Sequence, residues 1–436
     1  MHVLRAALDK YFNLADSGST LKTELAAGAT TFLTLVYIIF VNPTILAGAG
    51  MDHGAVFVAT CLAAAFGCIA MGLYANYPIA LAPGMGLNAY FATTLVASMG
   101  IAWQVALGAV FCSGVLFLIL SILPVREWLI NSIPKSQKMA IAAGIGVFLM
   151  IVALRSADIL TAQPTSVNAF GDVMQWPMLL VLLGFVGMIV LDARGMPGAL
   201  AVVILTIAIV CWIFGWHPAP DGIVSAIPSL TPTFLKLDIG AALGLGLAAI
   251  VFALLLVDLF DTSGTLVAVL HQANLLDENG RVGRLRQALI VDSGASVFGA
   301  LVGTSTTTSY IESASGIRGG GRTGLTAITV GLLFLLALLF APIATAVPAY
   351  ATAPAILFIG CVMAKAFRDI DWENLTDAVP AVVTAFAIPF SSSIATGIGL
   401  GFITYVLTKS CAGQFKTIHP AMVAIAVAFA AKFLLT

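Results

Sequence analysis

Charged residues are scarce in this chain. Only 9% of its 436 residues are Asp, Glu, Lys or Arg, against about 25% in ordinary soluble proteins, and 60% are hydrophobic. This composition excludes an ordinary soluble domain and predicts a protein that crosses a membrane many times. The formal net charge of −1 carries no information about partners, because the distribution of charge across the membrane matters more than the total.

Several functional signatures are also missing. The six cysteines lie in or beside apolar segments without the spacing of metal ligands, so we expect free thiols and no metal site. No G-x-x-x-x-G-K-[ST] motif is present, which argues against transport driven by ATP. Residues 1–23 carry charges such as Arg5 and Lys10 before the first long apolar run, which predicts a cytoplasmic tail rather than a cleaved signal peptide.

Long apolar segments make up most of the chain. They follow one another from residue 25 to residue 435 and predict an all-α polytopic membrane fold. Two segments, 76–98 and 303–321, do not fit a simple helix, because the first contains two prolines followed by Gly84 and the second opens with a run of Thr and Ser. Each is expected to be an extended stub leading into a half-helix. Such backbone is tolerated at membrane depth only beside protein or a cavity.

The order of these segments predicts an inverted repeat. The segment at 76–98 is third from the start, and the one at 303–321 is third from the helix that begins near 240. Two sets of seven segments would then be inverted relative to each other, as in secondary transporters. With the amino terminus inside, every Lys and Arg except Arg155, Lys236 and Lys432 is cytoplasmic, as the positive-inside rule requires. Residues 377–409 fit either one broken span or a hairpin, so the total is fourteen or fifteen.

Four acidic residues lie within apolar segments: Asp258, Asp261, Asp292 and Glu312. A charge at the membrane centre costs at least about 2.5–3.5 kcal/mol, so such residues usually mark a pathway or a ligand. Asp261 and Glu312 are the predicted ligand-binding acids, and all four are candidates for carrying a proton. Two structural alternatives stay open: Asp258 as hydrogen-bonded scaffolding, and Glu312 as an acid satisfied by neighbouring hydroxyls.

The half-helices indicate the chemistry of the predicted cavity. Their amino-terminal N–H groups, near Gly84 and Tyr310, would donate hydrogen bonds, while Asp261 and Glu312 would accept them. A flat polar ligand with both donors and acceptors, such as a nucleobase, fits this set. An aromatic side chain could cover the face of its ring, and the candidates are Tyr37, Tyr90, Phe91 and Phe260.

Four stretches carry a more specific signal: 31–43, 82–91, 259–266 and 303–313. They resemble the motifs of AzgA-like purine permeases of the nucleobase/ascorbate transporter superfamily, and the similarity extends over nearly the whole chain. The resemblance implies fourteen segments in two inverted repeats of seven. It places segments 1–4 and 8–11 in a core domain, 24–123 and 239–347, and segments 5–7 and 12–14 in a gate domain, 124–238 and 348–436.

The resemblance also implies a function and a site. Family members carry adenine, guanine or hypoxanthine, typically with a proton, so we expect a multi-pass purine symporter in the cytoplasmic membrane. It would need no cofactor, bind no nucleic acid and possess no enzymatic activity, and a homodimer is the family expectation. The predicted substrate-binding residues are Tyr37, Gly84, Met85, Asn88, Phe260, Asp261, Thr308, Ser309 and Glu312. Thr265 stands where some relatives have a histidine that helps proton coupling.

Two other functions compete with this interpretation. An anion transporter or channel of related fold could use the half-helices, but it would favour a basic residue near them, whereas this cavity is predicted to be acidic. An intramembrane aspartic protease could use Asp261, in the sequence Asp-Thr-Ser-Gly, with Asp292 as the second acid. That hypothesis leaves the two broken segments unexplained.

Overall fold

The structure is a computed structural model that describes residues 9–122, 133–157, 159–163, 166–170, 176–244, 248–272, 275 and 283–435. Some side chains within these ranges, that of Phe260 among them, lie outside the description. The described chain is mostly helical. Within it, nine helices are long and apolar enough to cross a membrane, which agrees with the predicted polytopic fold.

The first half of the chain contains eight described helices before residue 214. Stretches of wider π-helix, Met71–Ala75 and Tyr90–Ser98, continue the third and fourth of them. Side-chain caps define several starts, as where Oδ1 of Asp52 accepts a hydrogen bond from the Ala55 N–H at 2.7 Å. The helices are α1 (Leu21–Leu35), α2 (Ile38–Ala47), α3 (His53–Ala70), α4 (Met85–Ala89), α5 (Trp103–Ile122), α6 (Lys135–Ser156), α7 (Trp176–Ala193) and α8 (Ala199–Ile213).

The second half contains ten described helices, some short and some long. Three 3₁₀ turns, Leu338–Phe340, Lys365–Asp369 and Phe415–Thr417, join or extend them. The helices are α9 (Ile239–Ala242), α10 (Ala248–Gln272), α11 (Leu285–Val302), α12 (Ser313–Arg318), α13 (Gly324–Ala337), α14 (Ala341–Thr345), α15 (Ala349–Ala364), α16 (Leu375–Ser391), α17 (Ile394–Cys411) and α18 (Pro420–Leu435).

Residues 377–409 form a hairpin of two helices, α16 and α17. The turn between them is made by Ser392, at φ +50°, and by Ser393, whose Oγ accepts a hydrogen bond from the Thr396 N–H and so caps α17. At the other end of the hairpin, Lys409 Nζ lies 2.7 Å from Oδ2 of Asp377 in a largely buried ion pair. The hairpin settles the ambiguity of the sequence, and α18 follows it.

The two interrupted segments meet in a short antiparallel sheet. Strand β1 (Leu81–Pro83) pairs with β4 (Thr307–Ser309), with Ala82 opposite Thr308. Two backbone bonds flank this pairing, from the Gly84 N–H to the Thr306 carbonyl at 2.9 Å and from the Tyr310 N–H to the Ala80 carbonyl at 3.0 Å. Helix α4 follows β1, and α12 follows β4. The predicted arrangement of an extended stub and a half-helix is therefore confirmed at both places.

A second strand pair was not expected from the sequence. Strands β2 (Leu160–Gln163) and β3 (Ser166–Phe170) form an antiparallel hairpin between α6 and α7, with Leu160 opposite Phe170. This pair is additional to the strands at the two broken segments. A hairpin of this length satisfies its backbone locally, so it leaves no signal in a search for spanning apolar segments.

Close backbone approach joins some of the helices. A Cβ built on Gly146 of α6 would lie 2.7 Å from the carbonyl oxygen of Gly360 in α15. A Cβ built on Gly360 would lie at the same distance from the carbonyl oxygen of Gly146. A buried carboxylate joins others, because Glu24 of α1 accepts hydrogen bonds from the Arg322 N–H and the Thr326 hydroxyl beside the start of α13. The chain thus brings helices distant in sequence into contact around the β1–β4 pair.

Candidate functional site

A cavity of about 490 Å³ lies where the β1–β4 pair meets the neighbouring helices. One wall comes from the two interrupted segments, α1 and α10. The opposite wall comes from α6, α8, α15 and the turn that joins α7 to α8. The first wall contributes Thr34, Gly84, Met85, Gly86, Asp261, Thr265, Thr308, Ser309, Tyr310, Ile311, Glu312, Ala314, Ser315 and Arg318, and the second includes Ala142, Asp192, Met196, Gly198, Ala199, Leu200, Phe358, Ile359, Val362, Met363 and Lys365.

Glu312 is held at the cavity by a buried tyrosine. It stands immediately before α12, and its Oε1 accepts a hydrogen bond from the Tyr37 hydroxyl at 2.7 Å. Tyr37 is fully buried in the turn between α1 and α2. Hydrogen bonds to a charged acceptor are strong and directional, so this contact fixes the carboxylate and leaves Oε2 able to accept a bond from a ligand.

Asp261 reaches the same cavity from α10. Thr265 lies one helical turn further on and lines the cavity beside it, as expected for residues four apart on one helix face. Asp261 is partly exposed, whereas Asp258, one turn earlier, is fully buried and does not line the cavity. Two carboxylates from distant segments, Asp261 and Glu312, therefore face one space.

Hydrogen-bond donors come from the start of α4. Gly84 precedes this helix in an extended conformation, and no side chain caps the start of the helix with a hydrogen bond. The first N–H groups of a helix have no partner within it and carry partial positive charge, so those of Met85 and Gly86 can donate to a ligand. Gly84 also permits close approach of the two strands, because a Cβ there would lie 2.9 Å from Oγ1 and Cγ2 of Thr308.

The comparison with known families decides the classification. The family model Xan_ur_permease, described as "Permease family", matches residues 22–400. The chain belongs to this permease family. It is accordingly a transporter and not an enzyme, so the hypothesis of an intramembrane protease is wrong.

The permease is similar to curated relatives over almost its whole length. It is 46% identical to the adenine permease AdeP of Escherichia coli strain K12, over 98% of this chain and 95% of that protein. It is 42% identical to the guanine/hypoxanthine permease PbuG of Bacillus subtilis strain 168, over 97% of this chain and 99% of that protein. These relatives place it in the AzgA-like group that the motifs predicted.

A solved structure shares the fold of the permease. The transmembrane domain of the cyanobacterial bicarbonate transporter BicA aligns with a TM-score of 0.64, covering 87% of this chain and 97% of that domain. The sequence identity is only 17%, so this likeness concerns the fold alone. It supports a multi-pass membrane transporter fold for the permease.

The structure separates the predicted site residues into two groups. Gly84, Met85, Asp261, Thr308, Ser309 and Glu312 all line the cavity of the permease. Tyr37 lies behind Glu312 rather than on the wall, where it orients the carboxylate instead of covering a ring. Phe260 belongs to α10, but its side chain lies outside the described part of the structure.

Asn88 does not face the cavity. It is fully buried, its Nδ2 donates to Oδ1 of Asn42 at 2.5 Å, and its Oδ1 accepts a hydrogen bond from the Ser305 hydroxyl. Asn42 also donates to the hydroxyls of Thr60 and Thr304. This network ties the half-helix to α2, α3 and the stretch before β4. Asn88 therefore holds the site together from outside the wall.

Asp292 is also set behind the wall. It is fully buried on α11, and its carboxylate accepts hydrogen bonds from the hydroxyls of Thr262 at 2.8 Å and Ser309 at 3.5 Å. Because Ser309 lines the cavity, Asp292 is one hydroxyl away from it. The acid is close enough to communicate with the site through Ser309 but does not reach a ligand directly.

Several wall residues were missed by the sequence reasoning. Thr34 lies within the recognised stretch 31–43, which was the only signal for it, and Tyr310 was named only as the start of the second half-helix. The residues of the opposite wall, such as Ala142, Leu200 and Phe358, carried no signal in the sequence, because an apolar residue at a cavity cannot be told from other apolar residues of the same helix. Tyr310 also donates its hydroxyl to the Pro83 carbonyl at 2.5 Å, which adds a further link between the two interrupted segments.

Replacing Gly84 with alanine is expected to lower substrate affinity about tenfold or more, because the added methyl group meets Thr308 and displaces the donors of α4 in a tightly packed site. The measurement is the KM for uptake at equal membrane abundance. Gly294→Ala is the matched control, since a Cβ there meets nothing within 4 Å. An unchanged KM for Gly84→Ala would show that this close approach does not shape the site.

Replacing Tyr37 with phenylalanine is expected to reduce uptake efficiency about tenfold, because the lost bond to a carboxylate is worth about 1.5–3 kcal/mol and Glu312 is then free to turn. The measurement is the ratio of Vmax to KM. Tyr11→Phe serves as control, since that exposed hydroxyl bonds to the Leu73 carbonyl away from the cavity. Equal losses in both variants would contradict a specific role for Tyr37.

Proposed function

We propose that this permease imports purine nucleobases across the cytoplasmic membrane by proton symport with alternating access. The observation that carries the proposal is the meeting of two carboxylates, Asp261 and Glu312, with the uncapped start of α4 in one cavity. The relatives named as adenine and guanine/hypoxanthine permeases supply the substrate class. The coupling ion is a proton, and no other cofactor is needed.

The cavity chemistry matches the edge of a purine ring. Ring N–H and exocyclic amino groups of a purine can donate to Asp261 and Glu312, while a carbonyl or ring nitrogen accepts from the N–H groups at the start of α4. Thr308 and Ser309 add hydroxyls that can either donate or accept. The volume of about 490 Å³ lies within the range of about 300–1,000 Å³ that is usual for small-molecule sites.

The proposal includes an architecture of fourteen segments in two inverted repeats. The core unit comprises 24–123 and 239–347, and the gate unit comprises 124–238 and 348–436. The cavity draws one wall from each unit, which is where a moving unit would carry a substrate past a fixed one. Residues 1–23 form a cytoplasmic tail, and the assembly is a homodimer.

Orientation follows from the charges at the mouth of the cavity. The mouth carries Asp192, Arg318 and Lys365, all exposed, at helix ends that the positive-inside rule assigns to the cytoplasm. In the proposed orientation, the cavity opens toward the cytoplasm. The arrangement corresponds to the inward-facing step of the transport cycle.

Uptake of radiolabelled bases in a bacterial host that lacks nucleobase transport tests the function. We expect uptake of at least one of adenine, guanine and hypoxanthine, and its loss in the presence of a protonophore. Competition by each unlabelled purine identifies the preferred base. Purine uptake that persists unchanged with the protonophore would refute proton symport, and absence of any purine uptake would refute the substrate class.

Substitution of the four acids tests which one carries the proton. The variants are Asp258→Asn, Asp261→Asn, Asp292→Asn and Glu312→Gln. The carrier is expected to keep purine binding but lose the stimulation of uptake by an inward proton gradient, because the amide keeps hydrogen bonding and cannot titrate. If all four variants respond to the gradient as the parent does, the proton is carried elsewhere.

Anion transport is the second candidate, because the uncapped start of α4 lies at the cavity and offers N–H donors to an anion. The charge of the cavity argues against it, because the carboxylates of Asp261 and Glu312 line it close to the start of α4, whereas its basic residues, Arg318 and Lys365, are exposed. Uptake of labelled sulfate and bicarbonate in the same cells separates the candidates. Anion uptake without purine uptake would support the second.

A further inference from the structure

Two distant segments meet beyond the lining of the cavity. Past Met85, which lines the cavity, the half-helix α4 continues as the π-helix Tyr90–Ser98, which does not line it. There it meets the turn between α16 and α17. The Thr94 hydroxyl donates a hydrogen bond to the Ser392 carbonyl, and the Tyr90 hydroxyl contacts the side chain of Ser393.

This contact is small, polar and partly buried. Thr94 is 2% exposed and Tyr90 is 1% exposed, so the two side chains are shielded from solvent although they bond only to a two-residue turn. Ser392 has φ +50°, in the left-handed region that residues with a side chain rarely adopt. A strained conformation of this kind persists when the surroundings hold it, and such positions cluster at switch regions.

The contact also crosses between the two proposed units. Thr94 belongs to the core unit and Ser392 to the gate unit, and each unit has internal links of its own. The core half-helices share the β1–β4 backbone bonds, whereas the α16–α17 hairpin is held at its far end by the Lys409–Asp377 ion pair. The tip of the hairpin is thus a place where the units can part without loss of their own structure.

We propose that the Ser392–Ser393 turn is the outer latch of the transport cycle, holding Tyr90 and Thr94 while the cavity faces the cytoplasm. Alternating access requires that contacts closing one side break when that side opens. Release of these two hydrogen bonds would open a path to Met85 and Gly84 from the outer side. This inference rests on the proposed function, because it assigns further residues to the same transport cycle.

Reversible cross-linking tests the latch. In a variant whose six native cysteines are replaced by alanine, Thr94→Cys and Ser392→Cys are combined, and purine uptake is measured after oxidation and again after reduction. Uptake is expected to fall to background on oxidation and to return on reduction. The control combines Thr93→Cys with Ser392→Cys, because the Thr93 hydroxyl bonds to Ala89 within its own helix. A disulfide that forms without loss of uptake, or no disulfide at all, overturns the proposal.

A second measurement does not depend on transport. Met85→Cys places a thiol on the cavity wall, and its rate of modification by a membrane-impermeant reagent added outside reports opening of the outer side. Thr94→Val removes the donated hydrogen bond and is expected to raise this rate several-fold, whereas Thr93→Val leaves it unchanged. Equal rates in the two variants overturn the latch. A raised rate in a protein that moves no purine would reject the proposed function and keep the latch.

Discussion

Replacement of Glu312 with alanine is expected to abolish purine uptake while the protein remains in the membrane. Glu312 supplies a carboxylate whose orientation is already fixed by Tyr37, so its loss removes a prepared acceptor and leaves the ligand's N–H group unpaired. Breaking a buried charged hydrogen bond costs about 2–5 kcal/mol, which corresponds to about thirtyfold or more in affinity. Uptake is measured against membrane abundance in the same cells.

Glu312→Gln separates the charge from the hydrogen bond. The amide keeps the size of the side chain and one carbonyl acceptor, so we expect weakened but measurable binding of purine. Glu373→Ala is the control, because that carboxylate is exposed and remote from the cavity. Normal uptake by Glu312→Ala would remove the residue from the site, whatever the effect of the glutamine variant.

Replacement of Asp261 with alanine is expected to have an effect of similar size, with loss of binding rather than of membrane insertion. Asp261 faces the cavity from α10, on the same wall as the start of α4, and Glu312 is the other carboxylate on that wall, whereas Asp192 lies on the opposite wall. Loss of one acceptor lowers affinity by about thirtyfold or more on the same scale of about 2–5 kcal/mol. Direct binding of labelled purine to the purified protein measures it.

A neighbouring acid provides the control for Asp261. Asp258 lies three residues earlier on α10, is fully buried and does not line the cavity, so Asp258→Asn should leave purine affinity within a small factor of the parent. If Asp258→Asn lowers affinity as strongly as Asp261→Ala, both substitutions act by disturbing the structure of α10. The assignment of Asp261 as a ligand would then be withdrawn.

The acids show how far sequence reasoning could go. Asp261 and Glu312 were singled out because charge is costly in an apolar segment, and both line the cavity. Asp258 and Asp292 met the same criterion but lie behind the wall. The spacing of Asp258 and Asp261 placed them on neighbouring positions of one helix, yet helical periodicity fixes only relative direction. What lies opposite a side chain depends on the other helices.

Polar residues in the motifs were harder to assign. Asn88 and Tyr37 were predicted to touch the substrate, whereas in the structure Asn88 bonds to Asn42 and Ser305, and Tyr37 bonds to Glu312. A buried amide or hydroxyl must find a partner, and a ligand and a neighbouring side chain satisfy that need equally well. The sequence contains no information that separates these two outcomes.

The sequence by itself determined that the protein crosses a membrane many times, because apolar length and scarce charge depend only on composition and order, and its motifs indicated a permease by resemblance. It also determined where helices must break, since proline, glycine and hydroxyl-rich runs act locally. Only the tertiary structure decided that the breaks at 76–98 and 303–321 pair as strands, which residues form the opposite wall, and that Thr94 meets Ser392. Those contacts join residues hundreds of positions apart, and their energies depend on packing that no local pattern records.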